Sequence, residues 1–137
     1  MDKKFWLACV VVLVVSEICS FLINGVLLAA DYQATQAVWR TDMMRLMWVY
    51  HVLMIVGAFF FTFIFAYGYE GKGVMEGLRY GLYIGVWMSM GMAYGTYAMI
   101  AIPYSMAVKW FITGVVQYVL MGVAAAAVFG KKKKTEN

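Results

Sequence analysis

Four long apolar runs divide this chain, at 5–30, 44–67, 78–100 and 107–129, and most charged residues fall between or beyond them or within three positions of their ends, Glu17 being the exception. Each run is long enough to cross roughly 30 Å of hydrocarbon, which takes about 20 helical residues. The pattern predicts an all-α chain, a membrane-spanning four-helix bundle that forms a single transmembrane domain over 1–137. The remaining stretches, 1–4, 31–43, 68–77, 101–106 and 130–137, are too short for a soluble domain.

Punctuation agrees with these boundaries. Gly68, Gly71 and Gly73 terminate the second span, Pro103 follows the third, and Thr41 or Asp42 is placed to cap the start of the second. Residues 31–40 fit either a short interfacial helix or an ordered loop. The first run follows Asp2-Lys3-Lys4 and so imitates a secretory signal. It is too long for one, carries Glu17 and Asn24, and has Leu28 where a cleavage site wants a small residue, so it is expected to stay as a span.

Composition narrows the class further. Of 137 residues, 65% are hydrophobic and 13% charged, which excludes an ordinary water-soluble domain. One proline and 18% aromatics exclude disorder and proline-rich linkers. The net charge of +4 comes from basic residues near the chain ends rather than from a basic surface, so no nucleic-acid partner is expected. Lys3, Lys4, Lys72, Arg79, Lys131, Lys132, Lys133 and Lys134 fall on one side of the four spans, and Arg40, Arg45 and Lys109 on the other. The positive-inside rule then places both termini in the cytoplasm. Trp39, Trp48 and Trp110 are expected near the outer interface, and Trp6, Tyr67 and Tyr69 near the inner one. Cys9 and Cys19, ten positions apart on one helix, are about 15 Å apart and cannot bridge.

Polar groups inside the spans are the candidate functional residues, because an ionisable side chain near the bilayer centre costs about 2.5 to 3.5 kcal/mol. Glu17, Ser20 and Asn24 share one helical face. Counting depth from the outer helix ends puts Glu17, Ser89 and Gln117 in one layer, and Asn24, His51, Tyr94 and Thr96 in another nearer the surface. These groups either satisfy one another and fix helix register, or line a path for protons or a small solute. His51, the sole histidine, also suits a haem ligand or a quinone contact, the former needing a symmetric oligomer or a partner. Met88-Ser-Met90-Gly-Met92 resembles methionine motifs for Cu(I), but residues two apart on a helix point about 200° apart, so no metal site is expected.

The third span reads as two faces. Gly81, Gly85 and Ser89 form a small-residue seam for close helix approach, and Tyr80, Tyr83, Trp87, Tyr94 and Tyr97 form an aromatic stripe. Gly114 and Gly122, with Ala124 to Ala127, offer a second packing surface to a neighbouring helix or protomer. Glu76 and Arg79 are spaced to pair, and Lys131 to Lys134 are expected to bind anionic lipid headgroups at about 1 kcal/mol each.

Trp39-Arg40, Gly68-Tyr-Glu-Gly-Lys-Gly73, Glu76-Gly-Leu-Arg-Tyr-Gly81, Ile102-Pro-Tyr-Ser105 and Trp110 resemble a group of small, uncharacterised bacterial membrane proteins with four spans, over roughly 20–129. The resemblance implies that architecture and a bacterial inner-membrane location. It implies no mechanism. No Ser/His/Asp set, carboxylate pair or phosphate loop is visible, so an enzyme is not expected. The expected role is a structural or accessory subunit, with the lipid bilayer and copies of itself or other membrane subunits as partners and no cofactor. The alternatives are a small channel or carrier around Glu17, Asn24, Gln117 and His51, and a haem- or quinone-binding electron-transfer subunit using His51.

Overall fold

The computed structural model of the protein describes residues 1–131. It is all-α and 85% helical. Helix α1 (Lys3–Ser20) runs on through a wider π-type turn (Phe21–Leu27) into the short α2 (Ala29–Ala34). Two 3₁₀ turns (Gln36–Val38 and Met43–Leu46) lead to α3 (Met47–Gly68), followed by α4 (Val74–Met99) and α5 (Tyr104–Phe129). Three stretches, Lys3–Leu27, Met43–Gly68 and Tyr104–Phe129, are long and apolar enough to cross a membrane. Helix α4 matches α5 in length at 26 residues. Its five glycines, four tyrosines and the pair Glu76 and Arg79 dilute its apolar character.

Each helix end has a local cause. The Asp2 carboxylate accepts from the Phe5 amide at 3.0 Å and caps α1. Gly73, with φ +88°, turns the chain into α4, a conformation that side chains with a Cβ rarely adopt. Pro103 starts α5 and Gly130, with φ +69°, ends it. The expected cap on the second span is absent: Asp42 instead takes the Arg40 guanidinium at 2.9 and 3.1 Å, and neither 3₁₀ turn has a side-chain cap. That pairing, the hydrogen bond first, holds the Asp42 carboxyl below the usual carboxylate range. The expected Glu76–Arg79 pair is replaced as well. Glu76 reaches back and accepts from the Glu70 and Lys72 amides at 2.6 and 2.9 Å, closing the α3–α4 turn as a capping side chain does.

The helices are neighbours in the order α3, α1, α5, α4. Both ends of the described chain meet at one end, where Lys4 Nζ lies 3.5 Å from the Phe129 carbonyl; we call this the near end. Its core holds Val12, Phe61, Phe65, Tyr69, Met121 and Ala125. A second core at the far end holds Leu28, Ala93, Ile102, Met106 and Trp110. Trp110, expected at an interface, is 5% exposed and belongs to this core, packed against Tyr32 and Trp39.

Helices α4 and α5 approach more closely than any others, and glycine is the reason. A Cβ on Gly77 would stand 2.1 Å from the Gly122 carbonyl, and one on Gly81 would stand 2.3 Å from that of Tyr118. Gly85 faces Val115 and Tyr118, and Gly114 faces Ser89. The seam expected on the third span therefore packs on the last helix of the same chain. Gly114 and Gly122 face α4 in that contact, the neighbouring-helix alternative of the two expected for them.

Candidate functional site

Between the two cores lies a polar layer that does not follow the expected depths. Glu17 meets His51, Oε1 to Nδ1 at 3.1 Å, instead of Gln117. His51 lies four residues into α3, whereas Glu17 lies ten residues before the end of the helical run at Leu27. The two helices are thus offset by about six residues, or about 9 Å. The segment 28–46 spans the offset, packing Trp39 on Trp110 and tying Asp31 to Lys109 at 2.9 Å. That Asp31–Lys109 ion pair between α2 and α5 was not anticipated, and no spacing rule links positions 78 apart.

Ser20 is the hub of the remaining groups. Tyr50 donates to its Oγ at 2.8 Å, Gln117 Nε2 donates to the same Oγ at 3.3 Å and to the Ser16 carbonyl at 3.2 Å. The Ser20 carbonyl accepts Asn24 Nδ2 at 3.1 Å. Asn24 sits within the π-type turn, where backbone bonding skips to Leu28 N and Ile23 O at 2.8 Å. Its amide donates to the carbonyl at the start of that turn, and its Oδ1 accepts the Tyr32 hydroxyl at 2.9 Å. Burial pushes the Tyr32 phenol up from its ordinary value.

Ser20, Asn24, Ser89 and Gln117 all line one cleft of about 490 Å³, bounded by Trp39, Trp110 and Tyr32 at the far end and by Tyr118 toward the near end. Tyr118 packs on Phe61, and Phe61 on Tyr80, so aromatic rings close the cleft below. Glu17 and His51 are outside it. The charged pair and the amide–hydroxyl network are thus separate features that cut across the two expected layers: Glu17 joins His51, and Asn24 and Thr96 share the cleft with Ser89 and Gln117. Thr96 lines the cleft, whereas Tyr94 turns to Tyr104 and Phe111.

The aromatic stripe of α4 divides likewise. Tyr80 is packed against Phe61 and Phe65 and donates to the Phe61 carbonyl at 2.8 Å, while Tyr83 and Trp87 are exposed. Met88 and Met92 face the cleft, and Met90, on another side of α4, does not. Among the described residues no group of three or more His, Cys, Asp or Glu side chains is placed to hold a metal ion. Cys9 and Cys19 are free thiols. Lys131 lies against Gly73; Lys132, Lys133 and Lys134, expected to bind headgroups, lie outside the described residues.

Compared with protein-family models, with curated proteins and with solved structures, the chain matches none.

Proposed function

We propose that this chain is a four-helix integral membrane protein with both termini cytoplasmic, and that it acts as a non-catalytic structural or accessory subunit by pairing with a second copy of itself. The observation that carries this reading is the position of the Glu17–His51 pair. Its side chains are 33% and 54% exposed, on a face whose neighbours one turn away, Val14 on α1, Phe21 at the start of the π-type turn, and Trp48 and Ile55 on α3, are exposed apolar residues. Such a face suits lipid everywhere except at the pair. A carboxylate and an imidazole are expensive against acyl chains, and a covering protein surface removes that cost.

A two-fold arrangement supplies the cover with no new chemistry. The pair presents an acceptor and a donor side by side, and an isologous contact sets the Glu17 of each copy near the His51 of the other. The inner-membrane location rests on the resemblance noted above, and the cytoplasmic termini on the lysine distribution.

Native mass spectrometry from a mild detergent tests the proposal. The wild type is expected as a dimer, and the double variant Glu17→Leu, His51→Leu as a monomer of equal or greater thermal stability, since leucines suit lipid. A wild type that is a monodisperse monomer with no co-purifying chain sinks the proposal.

A further inference from the structure

We infer that the Glu17–His51 pair is half of a binding site for a divalent transition-metal ion of the zinc class, completed by the same pair of a second copy. The inference rests on the dimer proposed above and deepens it by naming what the two copies share.

The hydrogen bond fixes which ring nitrogen is free. A carboxylate oxygen only accepts, so the contact of 3.1 Å between Glu17 Oε1 and His51 Nδ1 puts the proton on Nδ1. In the neutral ring Nε2 then keeps its lone pair, and no described residue hydrogen-bonds to it. The His51 side chain is 54% exposed, so the ring is open where Glu17 does not cover it. Metal-ligating histidines adopt this arrangement: a carboxylate at one nitrogen sets the tautomer and raises the basicity of the other.

One chain cannot complete such a site. Among the described residues no third His, Cys, Asp or Glu joins the pair. A two-fold axis doubles the donors. The axis that sets the Glu17 of each copy beside the His51 of the other also brings the two rings together, and a cation on that axis takes one Nε2 from each copy. Zinc suits the arrangement because it accepts nitrogen and oxygen ligands in a tetrahedral shell, whose remaining positions are open to water.

Charge argues for the same occupant. Ligation requires both rings neutral, which leaves the two carboxylates as like charges across an interface of low dielectric. One divalent cation between them brings the sum to zero, at a depth where an unbalanced charge is costly. The site is also within reach of water. His51 lies four residues into α3, about 6 Å from the helix start, so the ion enters from the far end.

The test uses the full chain in a mild detergent, stripped with a chelator and titrated with zinc chloride or, separately, magnesium chloride, with native mass spectrometry as the readout. Cys9→Ala and Cys19→Ala form the background, so that no thiol competes for the metal. A dimer carrying one zinc ion is expected, with a larger dimer fraction than in the stripped protein. Magnesium, which prefers oxygen ligands, should do neither. Glu17→Gln keeps an acceptor for Nδ1 and loses the charge, and should weaken zinc binding about 10- to 100-fold. His51→Gln should bind none. A background protein that is dimeric but takes up no zinc, zinc held as tightly by His51→Gln, or magnesium bound equally well overturns the metal site and leaves the dimer standing. Zinc carried by a monomer overturns the sharing of the site, and a protein that stays monomeric and metal-free at every zinc concentration overturns both readings.

Discussion

Tyr32 ties the segment 28–46 to the π-type turn through a single hydrogen bond to Asn24, and its phenol is shielded by Trp39 and Trp110. Removing the hydroxyl in Tyr32→Phe strands Asn24 Oδ1, which is expected to cost about 1 kcal/mol in unfolding measurements in detergent. The same site fixes a pH dependence. Burial raises the folded phenol's pKa above its ordinary 10.0, so the unfolded chain ionises first as the solution becomes alkaline. The stabilisation from Tyr32 is therefore complete below pH 10 and declines as pH rises through the folded value. Unfolding followed from pH 8 to 12 should show a shallower alkaline loss in Tyr32→Phe than in the wild type; parallel curves contradict the assignment. At this scale the sequence revealed which residues matter more readily than whom they meet. Glu17, Asn24, His51 and Gln117 stood out because polar groups in an apolar run need a reason. Their partners depended on where each helix begins, and an apolar residue such as Leu46 is equally at home in a 3₁₀ turn or an α-helix.

At the scale of elements, the closest contact in the molecule is the α4–α5 seam, and its glycines separate into two kinds. Gly77, Gly81 and Gly122 face backbone, while Gly91 and Gly95 face open space with nothing within 4 Å of an added Cβ. Gly81→Ala is expected to destabilise by about 1 to 3 kcal/mol, since the opposing carbonyl of Tyr118 cannot move aside as a side chain tip does. Gly91→Ala is expected to stabilise by about 0.5 to 1 kcal/mol, the ordinary gain of alanine over glycine inside a helix. Thermal unfolding of the two variants side by side checks both signs, and equal effects would show that the seam is looser than drawn. The four-residue spacing of Gly81, Gly85 and Ser89 made one side of this contact legible. Its partner surface was left open between a neighbouring helix and another protomer, because Gly114 and Gly122 are eight apart and nothing in their spacing says which helix lies opposite.

For the whole molecule, the question that follows is whether α4 crosses the membrane with the other three helices. Hydropathy alone does not decide it, since α4 is the helix whose glycines and tyrosines lower its apolar content. Packing supplies the missing argument. Gly77 lies opposite Gly122, Gly81 opposite Tyr118, Gly85 opposite Val115 and Ser89 opposite Gly114, an antiparallel register kept over about three turns of α4 and about two of α5. Ala93 extends it into the far-end core with Met106 and Trp110. A partner held in register along a spanning helix shares its depth, and the glycines that weaken the hydropathy signal are the ones that permit the contact. Four crossings place Lys3 and Lys131 on one side of the membrane; three crossings, with α4 lying outside, place them on opposite sides. In a background of Cys9→Ala and Cys19→Ala, single cysteines at Lys3, Thr41, Lys72 and Lys131 can be probed with a membrane-impermeant maleimide. Only the Thr41 site is expected to react in intact cells, with the other three reacting after permeabilisation. Labelling at Lys131 but not at Lys3 in intact cells would remove α4 from the membrane.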